Sequence, residues 1–72
     1  MAKLYERIML IRPVRLDLTG DVMRPGIEAT VVDLLDDDVV LIEFEVDELV
    51  PISGIRAGLT TVSIYDFVSV SF

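Results

Sequence analysis

The sequence predicts an all-β fold in which five short strands form a small barrel or a strongly bent antiparallel sheet. Three observations lead there. Arg24–Val46 reads as a tight turn, a strand, an acidic turn and a second strand, which together make a β-hairpin. Leu59–Ser63 and Val68–Phe72 are further short runs rich in β-branched and aromatic residues. Glu6–Arg12 is apolar on alternate positions of both faces and stops at Pro13.

The first strand is placed at Glu6–Arg12, with Ile8 and Leu10 on one face and Met9 and Ile11 on the other. Tyr5, Ile8 and Met9 also fall at helical spacing, but Pro13 and the β-rich remainder of the chain favour a strand. Apolar residues on both faces suit a strand covered on both sides. Pro13–Gly26 holds two prolines and two glycines and reads as a long loop. It ends in Arg24-Pro25-Gly26, where Pro pre-sets φ and Gly accepts the positive φ of a type II turn.

The second strand is Glu28–Leu34, with Ala29 and Val31 facing one way and Thr30, Val32 and Leu34 the other. Asp36-Asp37-Asp38 makes the turn, since Asp hydrogen-bonds its own backbone. The third strand is Val39–Val46, whose Val40, Ile42, Phe44 and Val46 form one apolar face. Asp47–Gly58 is a second loop, and Leu59–Ser63 is the fourth strand. Ile64–Phe67 is long enough for one 3₁₀ turn only. Val68–Phe72 is the fifth strand, with Val68, Val70 and Phe72 expected inward and Ser69 and Ser71 outward.

Seventy-two residues amount to one domain, residues 1–72, near the lower limit for an unaided core. Domains of this size commonly rely on disulfides, a structural metal or oligomerisation. The chain has no cysteine and no histidine, which removes disulfides, thiolate metal sites, the commonest zinc ligand and the commonest general base. Hydrophobic residues make up 53% of the chain, and mean hydropathy is +0.62. So small a body has little interior, so part of that surface faces outward and points to self-association or a partner rather than a tightly packed monomer.

The net charge is −7, which disfavours nucleic acid and anionic membrane as partners. Lys3, Arg7, Arg12, Arg15 and Arg24 precede Pro25, while nine of the thirteen acids lie between Glu28 and Glu48. Pairing of the first segment with the hairpin, within or between chains, brings these opposite charges together. The apolar run Ile8–Ile11 is too short for a signal-peptide core, and no stretch reaches the length of a membrane span. A soluble, cytoplasmic protein is expected.

The layout of five strands, a long first loop and a one-turn break before the last strand resembles an SH3-like barrel, which shields sheet edges by closure. Tyr5–Leu10 (YERIML), Gly26–Asp33 (GIEATVVD), Ile42–Phe44 (IEF) and Thr61–Val70 (TVSIYDFVSV) carry a closer resemblance. They are similar to the small bacterial SH3-like domains of the DUF4926 group and, more loosely, to KOW-type barrels. Ala29 stands where that pattern has a glycine. The resemblance implies a fold and no activity.

No residue pattern points to chemistry. Asp33 with Asp36-Asp37-Asp38 lacks the alternate ligands, central Gly and distal Glu of a Ca²⁺ loop, and reads as an acidic turn. Glu43, Glu45, Asp47 and Glu48 lack the enclosing pocket that paired catalytic carboxylates need. Arg12, Arg15 and Arg24, with Tyr5 near, do not form a basic-aromatic cluster and are expected to satisfy the acidic hairpin. Thr60, Thr61, Ser63, Ser69 and Ser71 have no base beside them and are expected to face outward.

The sequence therefore predicts a protein that is not an enzyme, with no catalytic residue, cofactor or metal. It predicts an interaction module that forms a homo-oligomer and meets a further, unidentified protein partner, with no nucleic acid and no membrane. The expected contact residues are Met9 and Ile11 of the first strand and Val39 and Leu41 of the hairpin. Two other readings are an acidic regulatory or inhibitory protein that docks on a basic partner, and a small-ligand binder with its site between subunits. Loops 13–26 and 47–58 are the natural carriers of specificity.

Overall fold

The computed structural model describes residues 2–17, 20–44 and 58–70. Seven strands occur among them: β1 (Arg7–Leu10), β2 (Val14–Arg15), β3 (Val22–Met23), β4 (Glu28–Leu34), β5 (Val39–Phe44), β6 (Leu59–Ser63) and β7 (Phe67–Ser69). The fold is all-β, with no α-helix among the described residues and one 3₁₀ turn, Ile64–Asp66. β6-β5-β4-β1-β7 form a five-stranded antiparallel sheet, and β2 and β3 form a separate two-stranded one. The predicted ends of the third and fifth strands, most of the second loop and the carboxylates of Glu45, Asp47 and Glu48 lie outside the described residues.

Alternation explains the inner face. Ile8 and Leu10 of β1, Ala29 and Val31 of β4, Val40, Ile42 and Phe44 of β5, Val62 of β6 and Phe67 of β7 are buried together. Ala29 is fully buried opposite Phe44 and Ile8 in extended backbone, so a small side chain is needed there but a positive φ is not. Gly26 has φ 96, as the type II turn requires, and its N–H donates to Leu10 O at 2.8 Å.

Four expectations need correction. First, the 13–26 loop folds on itself as the β2–β3 hairpin and gives Val14, Leu16 and Met23 to the core. Second, β4 carries a bulge between Val31 and Asp33, which brings Leu34 opposite Val40 rather than onto the face of Thr30. Third, the 3₁₀ turn ends at Asp66, so Phe67 opens the last strand and points inward, while Val68 is 43% exposed. A one-residue shift exchanges the two faces of a strand. Fourth, Thr60 is buried.

Thr60 is buried because the β2–β3 hairpin uses it. Asp17 N–H donates to Thr60 Oγ1 at 3.0 Å, which removes the penalty of a buried hydroxyl without a partner. Next to it, Thr61 N–H and Thr61 Oγ1 both donate to Asp17 Oδ2 at 2.9 Å. These bonds fasten the hairpin to β6, the strand that ends one side of the sheet. The hairpin is itself held by Leu16 N–H to Asp21 O at 2.7 Å and Arg15 Nη1 to Gly20 O at 3.0 Å, with Gly20 at φ 76.

Candidate functional site

Register decides which side chains share the outer face. In β1–β7, Met9 lies opposite Val68, and Val70 N–H donates to Arg7 O at 3.0 Å, so Arg7 and Val70 are also opposed. Ile11 continues this ladder through its N–H to Asp66 O at 2.9 Å. Met9, Ile11, Val68 and Val70 thus fall on one outward face. Ile11 is 44% and Val68 43% exposed, and Met9 and Val70 are half-buried.

A polar strip bounds this patch on the β4 side. Arg7 Nε lies 3.2 Å from Glu28 Oε1, and Arg7 Nη1 donates to Thr30 Oγ1 at 3.2 Å. Both partners of the ion pair are exposed enough for it to add little stability. Beyond the strip, Val39 and Leu41 of β5 are half-buried on the outer face. Leu41 pairs with Asp33 and Thr61, Val39 with Ser63, and Glu43 with Thr30 and Leu59.

Of the four expected contact residues, Met9 and Ile11 therefore lie together, and Val39 and Leu41 lie two strands away among polar side chains. Val68 and Val70 join the first pair. The sequence reading missed them because it placed them inward.

The charge pairing expected between the first segment and the acidic hairpin is present in Arg7–Glu28, whereas Arg15, expected to satisfy that hairpin, donates within its own loop. Arg12 and Arg24 are exposed. Asp33 Oδ1 accepts from Leu34 N–H and Asp36 Oδ1 from Asp37 N–H, each at 2.8 Å. Among the described residues no three Asp or Glu side chains converge on a cation-sized space.

One titratable group stands out. Thr61 N–H and then Thr61 Oγ1, with Thr60 adding to them, hold the Asp17 carboxyl below its ordinary value, against a small opposing effect of burial. All these partners anchor a hairpin, so the shift is structural. A cavity of about 190 Å³ lies between Ala2, Glu6, Ile64, Phe67 and Ser69. It is smaller than the roughly 300 Å³ at which small-molecule sites begin.

A further backbone feature sits at the start of β1. Lys3 O accepts from Glu6 N–H at 3.2 Å, and Tyr5 in this turn has φ 64. Position i+2 of a type II turn usually takes Gly for that reason. Leu4 and Tyr5 are 48% and 76% exposed here. No described helix is long and apolar enough to cross a membrane. Comparison with family models, with curated proteins and with solved structures returns no match to this chain.

Proposed function

We propose that this protein is a non-catalytic interaction module that works as a homo-oligomer. The supporting observation is the apolar outer face of β1–β7, where Met9, Ile11, Val68 and Val70 stand side by side on a sheet whose inner face is already filled. Such a patch on so small a body is a recognition surface by its energetics, since burying it releases ordered water at no further folding cost. The absence of a base–nucleophile pair in the sequence argues in the same direction.

The test replaces Met9 and Leu41 with Asp, one on each outer patch, and measures mass by light scattering. The expected result is a folded monomer or loss of the folded protein. An unchanged oligomer contradicts the proposal.

A second reading is favoured by the acidic turn. Asp36, Asp37 and Asp38 are exposed beside Leu35, which is 50% exposed. A basic partner protein fits that combination, and its capture would weaken steeply with salt.

A further inference from the structure

A sheet ends in two strands, and each end offers a row of backbone donors and acceptors to any strand that comes alongside. Among the described residues the end strands are β7, three residues long, and β6, five residues long. A short strand offers little of a row. β6 is the greater hazard, because Leu59-Thr60-Thr61-Val62-Ser63 contains three β-branched residues and no charge, proline or glycine.

The ladder with β5 fixes which backbone groups of β6 turn outward. Ile42 lies opposite Thr60 and Leu41 opposite Thr61, and Phe44 N–H donates to Gly58 O at 2.9 Å. Hydrogen-bonded pairs alternate along an antiparallel ladder. Gly58, Thr60 and Val62 therefore turn their backbone groups toward β5, and Leu59, Thr61 and Ser63 turn theirs away from it. The middle one of these outward N–H groups, that of Thr61, donates to Asp17 Oδ2 at 2.9 Å, and Thr61 Oγ1 donates to the same oxygen at 2.9 Å. A carboxylate oxygen thus stands where an added strand would place a carbonyl.

The hairpin delivers this group from the inner side of the sheet. Leu16 is buried in the core, and Asp17 N–H donates at 3.0 Å to the hydroxyl of Thr60, which is itself buried. The carboxylate then reaches round to the edge and to Thr61 on the outer side. Fastening alone needs an acceptor. A carboxylate also places a negative charge in the seam that a neighbouring strand would occupy.

We infer that Asp17 is an edge guard, which closes β6 to strand addition by β6 of a second copy. The second copy is the occupant excluded, because an antiparallel two-fold pairing centred on Thr61 requires each Thr61 N–H to donate to the other chain's Thr61 carbonyl. Asp17 holds that donor, and in such a pairing the two Asp17 carboxylates would meet at the seam, on chains that each carry a net charge of −7. The inference stands apart from the homo-oligomer reading: it names a contact that the chain avoids, whatever contact it makes.

The experiment measures mass by light scattering over a dilution series for the full-length wild type, Asp17→Ala and the double variant Asp17→Ala with Thr61→Pro, with circular dichroism as the check on folding. Asp17→Ala is expected to raise the mass at least about twofold over the wild type at the same concentration, since two-fold pairing doubles the number of subunits. Proline at position 61 removes the outward N–H and leaves the ladder with β5 intact, so the double variant is expected to return to the mass of the wild type. If Asp17→Ala does not fold, Asp17→Asn decides: it keeps an acceptor oxygen for Thr61, loses the charge, and is expected to raise the mass in the same direction.

Wild-type mass in the folded variants, or loss of folding in both, leaves Asp17 a fastening residue alone and overturns the inference. So does a raised mass that Thr61→Pro does not reverse, because the new contact then lies elsewhere than the edge of β6. A wild-type chain that is monomeric at every concentration removes the homo-oligomer reading and leaves the edge guard to be judged by the variants.

Discussion

The outer faces of β1–β7 and of β5–β6 have the same geometry and opposite character. Each alternates with a filled inner face, and each presents half-buried aliphatic side chains. On β1–β7, Met9 lies between Val68 and Glu28, and the next position holds Arg7, which pairs with Glu28. On β5–β6, Leu41 lies between Asp33 and Thr61. Met9 therefore has an aliphatic neighbour on one side and an ion-paired carboxylate on the other, whereas both cross-strand neighbours of Leu41 are polar, so burying Leu41 strips water from both. Apolar content alone therefore does not distinguish the two faces; register does.

Three changes test the separation of these regions, taken from the largest effect down. Ile42→Ala empties the inner floor of β5, where Ile42 is fully buried opposite Val31 and Thr60. It is expected to cost about 3 kcal/mol in urea unfolding, a large share of the stability of so small a domain, and so to damage both outer faces together. A loss under about 1 kcal/mol would mean that this strand is not part of the core.

Thr60→Val keeps the shape and removes the acceptor for Asp17 N–H. The expected cost is about 1–2 kcal/mol. Hydrogen exchange should quicken in β2, β3 and β6 while β1 and β7 keep their protection. Equal quickening in all strands would show that the two sides of the sheet do not open separately.

Asp17 gives the smallest effect and a pH signature. Its folded pKa is lowered, chiefly by Thr61 N–H, so the carboxylate form favours the folded state. That stabilisation is complete above the ordinary carboxylate pKa and is lost as pH falls through the lowered folded value. Asp17→Ala is expected to cost about 1 kcal/mol at neutral pH, discounted for the exposure of the carboxylate, and to flatten part of the acid limb of the stability profile. An Asp17→Ala profile parallel to that of the wild type would remove the fastening role.

Much of the architecture is legible in the residues. β4, the Asp36–Asp38 turn and the start of β5 follow from alternation and turn chemistry, and β6 matches its predicted span. The β2–β3 hairpin was obscured by its prolines and glycines, although Val14-Arg15-Leu16-Asp17 alternates strictly and carries the signal that could have shown it. Its closure depends on Thr60 and Asp17, 43 residues apart, which no local pattern reveals.

The candidate surface was half legible for a related reason. Met9 and Ile11 follow from the period of their strand. Val68 and Val70 depend on whether the 3₁₀ turn ends at Asp66 or Phe67; Ser63 caps its start by accepting from Tyr65 N–H, and Phe67 is already extended at its end. The end of the turn at Asp66 sets the phase of the strand that follows. One residue of phase separates an aliphatic side chain in the core from one on the outer face.

The most direct test of self-association is the mass of the wild-type protein by light scattering over a hundredfold dilution, at low and at high salt. A dimer of twice 8.0 kDa is expected, retained or slightly tightened in high salt as the mutual repulsion of two chains of charge −7 is screened. A monomer of 8.0 kDa under all these conditions would contradict it.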